Sequence, residues 1–205
     1  MLNVIPYGNF KPLGKNKKKK QIILCHTSRE VDDYLTSLSF RYNSKYDRIP
    51  HYVISREGRV MQLLPDTTYS NFMWDVEINK NSIIVVLENL GWLEKKPLSS
   101  DHLNWIGNIY KQGVFEKKWR DYYLWQPYTT SQMENTYEIC SKIAEDNSID
   151  KKFIGHNTKI EGAEKYEGII CRSNFDSSYT DLSPAFDFGY LQKKFDHEQY
   201  TSREI

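Results

Sequence analysis

Three places along the chain carry side chains from which a metal site can be built. His156 stands between a glycine and an asparagine in "FIGHN", Asp181 opens "DLSPAFDF", and Cys25 and His26 are neighbours in "QIILCHTS". A catalytic zinc site takes about three ligands from His, Cys, Asp and Glu and keeps an open position for water. The three places together supply such a set, although each alone reads equally well as a hydrogen-bonded structural residue. Neighbours on a strand point to opposite faces, so only one of Cys25 and His26 is expected to reach a metal, and both remain candidates.

Ligands of this kind need rigid elements to hold them. Gln21 to Cys25 is a short β-branched run that reads as a buried strand, and Ser28 is placed to cap a helix with Val31, Leu35, Leu38 and Tyr42 on one face. In "HYVISREGRVMQLLP", Tyr52 and Ile54, then Val60, Gln62 and Leu64, alternate around Glu57-Gly58, which predicts a hairpin with a two-residue turn. The unbroken aliphatic run Ile83 to Leu87 predicts a strand covered on both faces. Met133, Tyr137, Cys140 and Ala144 mark a helix face, with Ser131 and Glu134 as a capping box. "KFIGH" reads as a last short strand and "SPAFDFGYLQKKF" as a closing helix. A mixed sheet flanked by helices follows, in the α/β (α+β) class.

Two segments are longer than ordinary connections. Residues 92–127 hold Trp92, Trp105, Tyr110, Phe115, Trp119, Tyr122, Tyr123 and Trp125 and are expected to form a self-packing, aromatic-rich helical insertion; the alternative is a lip over a sugar-containing ligand. Residues 157–179 are expected as a long loop. The domain expectation is a Lys-rich, solvated arm at 1–20, one domain at 21–196 and a tail at 197–205.

Composition narrows the function. Lys+Arg 28 against Asp+Glu 27 gives a net charge of +1, so no global field draws the chain to nucleic acid or to a membrane surface. Three widely spaced cysteines point to reduced thiols rather than a disulfide framework. The N-terminus lacks an apolar secretory segment, which leads to the expectation of a cytoplasmic product.

The segments "IILCHTS", "PHYVISREGRVMQLLPD", "NSIIVVLENLG", "YTTSQMENT", "FIGHN" and "TDLSPAFDF" fall in the order and spacing of one family. Over nearly its whole length the chain resembles the zinc-dependent N-acetylmuramoyl-L-alanine amidases, which include peptidoglycan recognition proteins and the amidase-type endolysins of phages. The resemblance implies a groove over one Zn2+ ion and hydrolysis of the amide between N-acetylmuramic acid and L-alanine, with peptidoglycan as partner; a monomer is expected. It implies access to the wall through a pore or from a virion.

Position by position, the resemblance makes His156 and Asp181 metal ligands. The first ligand is Cys25 if the strand is matched without gaps and His26 if it slips by one residue. Pro50 and Val86 stand where branches of the family carry a catalytic Tyr or Glu. Glu88, two residues beyond Val86 on the same strand face, is the expected replacement. Tyr179 stands where a Lys often precedes the last ligand, and Tyr179 and Arg172 are expected to donate to a developing oxyanion. Two other readings stay open: a recognition module that keeps the groove without the reaction, and a regulator that binds a protein partner.

Overall fold

The computed structural model describes residues 2–201, with side chains through residue 197. In chain order the elements are β1 (Val4–Pro6), β2 (Gly14–Lys15), β3 (Gln21–His26), α1 (Val31–Ser44), β4 (Tyr52–Ile54), β5 (Val60–Gln62), β6 (Thr68–Tyr69), α2 (Val76–Asn81) and β7 (Ser82–Leu87). They continue with β8 (Trp92–Lys95), β9 (His102–Asn104), β10 (Ile109–Tyr110), β11 (Phe115–Trp119), β12 (Tyr122–Trp125), α3 (Thr130–Asn147), β13 (Gly168–Cys171) and α4 (Phe188–Thr201). Among the described residues, no helix is long and apolar enough to cross a membrane.

The main sheet has six strands in the order β1-β5-β4-β7-β3-β13, and only the β4–β5 pair is antiparallel. Its centre forms where the aliphatic runs predict it. All six residues of β3 and all six of β7 are buried, because helices and loops cover both faces. Alternation divides β3 between two cores: Ile22 and Leu24 pack toward α3 and α4, Ile23 and Cys25 toward α1. Truncating Ile23 or Ile84 to Ala at this centre costs about 2–5 kcal/mol.

Several expectations are corrected. The residue 92–127 insertion is not helical: β8 to β12 form a five-stranded antiparallel sheet in the order β10-β9-β8-β12-β11. Its aromatics pack on one another, Trp92 on Tyr122 with centroids 4.6 Å apart, around a small core of Leu90, Leu93 and Tyr110. The N-terminal segment is not a free arm, since β1 adds to the sheet edge and β2 pairs with β6. Lys19 within it is buried, its ammonium donating to the carbonyls of Thr68, Lys80 and Ser82 at 2.6, 3.0 and 3.1 Å. Burial lowers its pKa to about 8.

The 157–179 segment is not all loop, because β13 forms the sheet edge there and "KFIGH" contributes only a single bridge from Phe153 to Ile169. Five residues, Ser55 to Arg59, connect β4 and β5 instead of two, closed by the Gly58 N–H to Ser55 carbonyl bond with Gly58 at φ 87°. The α3 box uses Thr129 and Gln132, two positions earlier than Ser131 and Glu134. Tyr42 lies within a break in α1 and is exposed. Of the expected tail, 197–201 continue α4 and 202–205 lie outside the described residues.

Candidate functional site

At the C-terminal end of β3, His26 closes the strand beside Leu87 of β7. Its backbone N–H donates to Oδ2 of Asp181 at 3.1 Å, which brings the two sequence-distant candidates into contact. The imidazole is buried, packs against Gly91 and lies 3.3 Å through Nδ1 from the Tyr128 hydroxyl. A side chain at Gly91 would sit 3.0 Å from the ring, so this close approach needs glycine. Burial lowers the His26 pKa to about 4 against the opposing pull of Asp181, so the ring is neutral at pH 7.

Asp181 is fully buried, and its carboxylate is already engaged on both oxygens. Arg172, just beyond β13, donates from Nε to Oδ1 at 3.0 Å and from Nη2 to Oδ2 at 2.7 Å. This is the two-point geometry a guanidinium makes with a carboxylate. The backbone reinforces it through Ser173 N–H to the Asp181 carbonyl at 2.9 Å. The outer face of the guanidinium lies 4.6 Å from the centroid of the Tyr179 ring, which itself stacks on Trp74.

Cys25 and His156 turn to other surroundings. Cys25 points into the α1 core with no exposed surface, and burial pushes its thiol pKa up, away from the thiolate a metal would need. His156 is exposed, following Gly155 at φ 73°, and its Nδ1 accepts from the Thr158 N–H at 3.2 Å. Its loop is anchored by Asn174, which donates to the carbonyls of His156 and Thr158, and by Asn157, which donates to the Leu182 carbonyl.

Glu88 is buried beyond β7, where Oε1 accepts from the N–H of Val31 at the start of α1 and Oε2 from the N–H of Arg56. It supplies the helix cap expected of Ser28, whose φ of 57° places it in a turn. Burial raises its pKa against those two N–H groups, with Glu30 adding to the rise.

A pocket of about 230 Å³ opens over His26 and Arg172. Arg29, Arg41, Arg48, Tyr179 and Trp105 line it as well. Trp105 reaches in from the inserted sheet, its indole N–H donating to the Ser28 carbonyl at 2.5 Å while Arg29 lies 5.3 Å from its ring centroid. Single arginines scattered over residues 29–48 give no pattern in the sequence, so only the fold shows that they converge. Trp105 was visible only as one of many aromatics.

The donor types His26, His156 and Asp181 suit zinc, but their arrangement does not. Asp181 already holds a cation, the His156 ring turns to its own backbone, and no three His, Cys, Asp or Glu among the described residues are grouped to hold a metal ion. As arranged, these residues do not fit the ion.

The fold is an α/β protein with a mixed sheet and a pocket at the C-terminal end of β3. The sequence model of N-acetylmuramoyl-L-alanine amidase matches residues 15–168, and the chain belongs to that family. No curated protein sequence matches it. Among solved structures it is similar to the N-acetylmuramoyl-L-alanine amidase LysC from Clostridium intestinale, at 10% identity and TM-score 0.55, covering 96% of this chain and 99% of that one. It is similar to the Drosophila peptidoglycan recognition protein SD, at 10% identity and TM-score 0.53, covering 94% and 95%. A third likeness is to AmiD from E. coli in complex with an anhydro-N-acetylmuramic acid peptide, at 15% identity and TM-score 0.52, covering 91% and 60%. At these identities the structural likenesses establish the fold.

Proposed function

We propose that the protein binds peptidoglycan at the junction of muramic acid and stem peptide, in the pocket over His26 and Arg172. Family membership supports peptidoglycan amide hydrolysis as the chemistry of the lineage. The geometry of this chain supports the binding half of that chemistry best. The observation that carries this reading is the Arg172–Asp181 pair: the carboxylate faces a fixed guanidinium, and polar and aromatic side chains surround an open pocket. Arginine and aromatic faces suit a ligand that joins a sugar ring to a peptide with free carboxylates.

A second reading is zinc-dependent hydrolysis of the N-acetylmuramoyl–L-alanine amide. His26, His156 and Asp181 favour it, because they are zinc-binding types in the family's order. In that reading the ion would polarise the amide carbonyl, with Tyr179 and Arg172 as donors to the oxyanion. Glu88 fits a proton-transfer role poorly, since both its oxygens cap backbone N–H groups.

Sedimentation with purified peptidoglycan, together with an assay for new L-alanine amino termini, separates the two. Co-sedimentation without new termini supports binding alone. New termini that disappear with a chelator establish the hydrolase. A protein that stays in the supernatant and releases nothing contradicts both.

A further inference from the structure

The pocket collects positive charge in a protein that has almost none to spare. Four arginines line it, Arg29, Arg41, Arg48 and Arg172, while the whole chain carries a net charge of +1. None of the residues lining it is Asp or Glu. Among the described residues only Arg172 of the four has a carboxylate partner, the Asp181 buried behind it. Arg29 and Arg41 instead lie against the rings of Trp105 and Tyr46, each 5.3 Å from the centroid, which holds the planar cations without neutralising them. Like charges gathered in one cleft repel and focus the field outward, so the arrangement gains stability when an anion enters.

Arg172 is placed to receive that anion. Nε and one N–H of Nη2 are spent on Asp181, and a guanidinium has five N–H donors, so its remaining edge is available. Its side chain keeps 21% of its surface exposed, whereas that of Asp181 keeps 1%. The carboxylate therefore orients the cation from behind, and the ligand meets the cation.

We propose that Arg172 is the built-in cation of this site, occupying the carboxylate that a metal would otherwise take, and that with Arg29, Arg41 and Arg48 it binds a carboxylate of the stem peptide without any metal ion. This rests on the peptidoglycan reading for the identity of the ligand, and on the Arg172–Asp181 geometry for the metal independence.

The test uses two ligands that differ in one group: N-acetylmuramoyl-L-alanyl-D-glutamate and its isoglutamine form, in which one carboxylate is an amide. Calorimetric titration of the full chain is expected to show at least tenfold tighter binding of the acid form, unchanged by EDTA, and a matching loss of that preference in Arg48→Ala. Equal affinity for the two, or binding abolished by EDTA, would overturn the proposal. In parallel, zinc content after dialysis against zinc and then buffer is expected to be far below one ion per chain. One zinc per chain, lost in Asp181→Asn, would overturn the assignment of Arg172. If neither ligand binds, the peptidoglycan reading and the carboxylate assignment both fail, while the zinc measurement still decides whether Arg172 holds the metal's place.

Discussion

Arg172 and Asp181 stand nine positions apart and meet as a two-point ion pair at 3.0 and 2.7 Å, with the His26 backbone N–H on the same carboxylate. The pair fixes the segment after β13 to the end of β3, and so shapes the pocket floor. Replacing Arg172 with Ala leaves a buried carboxylate with one backbone donor. Removing one partner of a buried pair costs about 3–5 kcal/mol, and the partial exposure of Arg172 lowers the expected loss to about 2–3 kcal/mol. Urea unfolding of Arg172→Ala measures it; an unchanged midpoint would show that the pair contributes nothing.

Glu88 is expected to act on stability rather than chemistry. Glu88→Gln keeps the shape but leaves one oxygen to accept where two did, so one of the N–H groups of Val31 and Arg56 faces an amide NH2 instead of an acceptor, for a loss of about 1–3 kcal/mol. Peptidoglycan binding by the folded variant should match the parent. A variant with an unchanged melting temperature and lost activity would return Glu88 to the reaction.

Two buried histidines set an acid limit. Burial lowers His26 to about 4 and His51 to about 3, where the His51 Nδ1 accepts from the Ile84 N–H and Nε2 faces the Thr68 carbonyl at 3.0 Å. The folded state disfavours the protonated rings, so their contribution is complete above the unfolded pKa near 6.5 and is lost as pH falls toward 4 and then 3. Each ring lowers stability by about 1.4 kcal/mol per pH unit within its window. Urea titrations at pH 7, 6 and 5 should show this decline, reduced in His51→Asn. A flat profile between pH 7 and 5 contradicts the assignment.

Trp105 links the inserted sheet to the pocket. Trp105→Ala removes the bond to the Ser28 carbonyl and frees Arg29, and is expected to weaken muropeptide binding about tenfold while leaving the melting temperature nearly unchanged. Equal binding would place the ligand elsewhere.

How much of this was legible in the sequence follows from the range of the interactions. β3 and β7 are local aliphatic runs whose burial on both faces needs no knowledge of partners. The inserted sheet was hidden because its strands are only two to five residues long and β11, "FEKKW", is mostly charged, so no period emerges. His26 and Asp181 were recognisable as donor types from the family pattern. Their surroundings were not: that Arg172 turns onto Asp181, and that His156 turns to Thr158, depends on how a loop folds back, which residue spacing does not encode.

The most direct test of ligand binding in this pocket is a nitrogen-15 chemical-shift titration with N-acetylmuramoyl-L-alanyl-D-glutamate. The Trp105 indole N–H, the Arg172 Nε–H and the backbone amides of residues 26–29 are expected to shift together and saturably. Shifts confined to the Trp92–Tyr122 face of the inserted sheet, or none at all, would contradict a peptidoglycan site over His26 and Arg172.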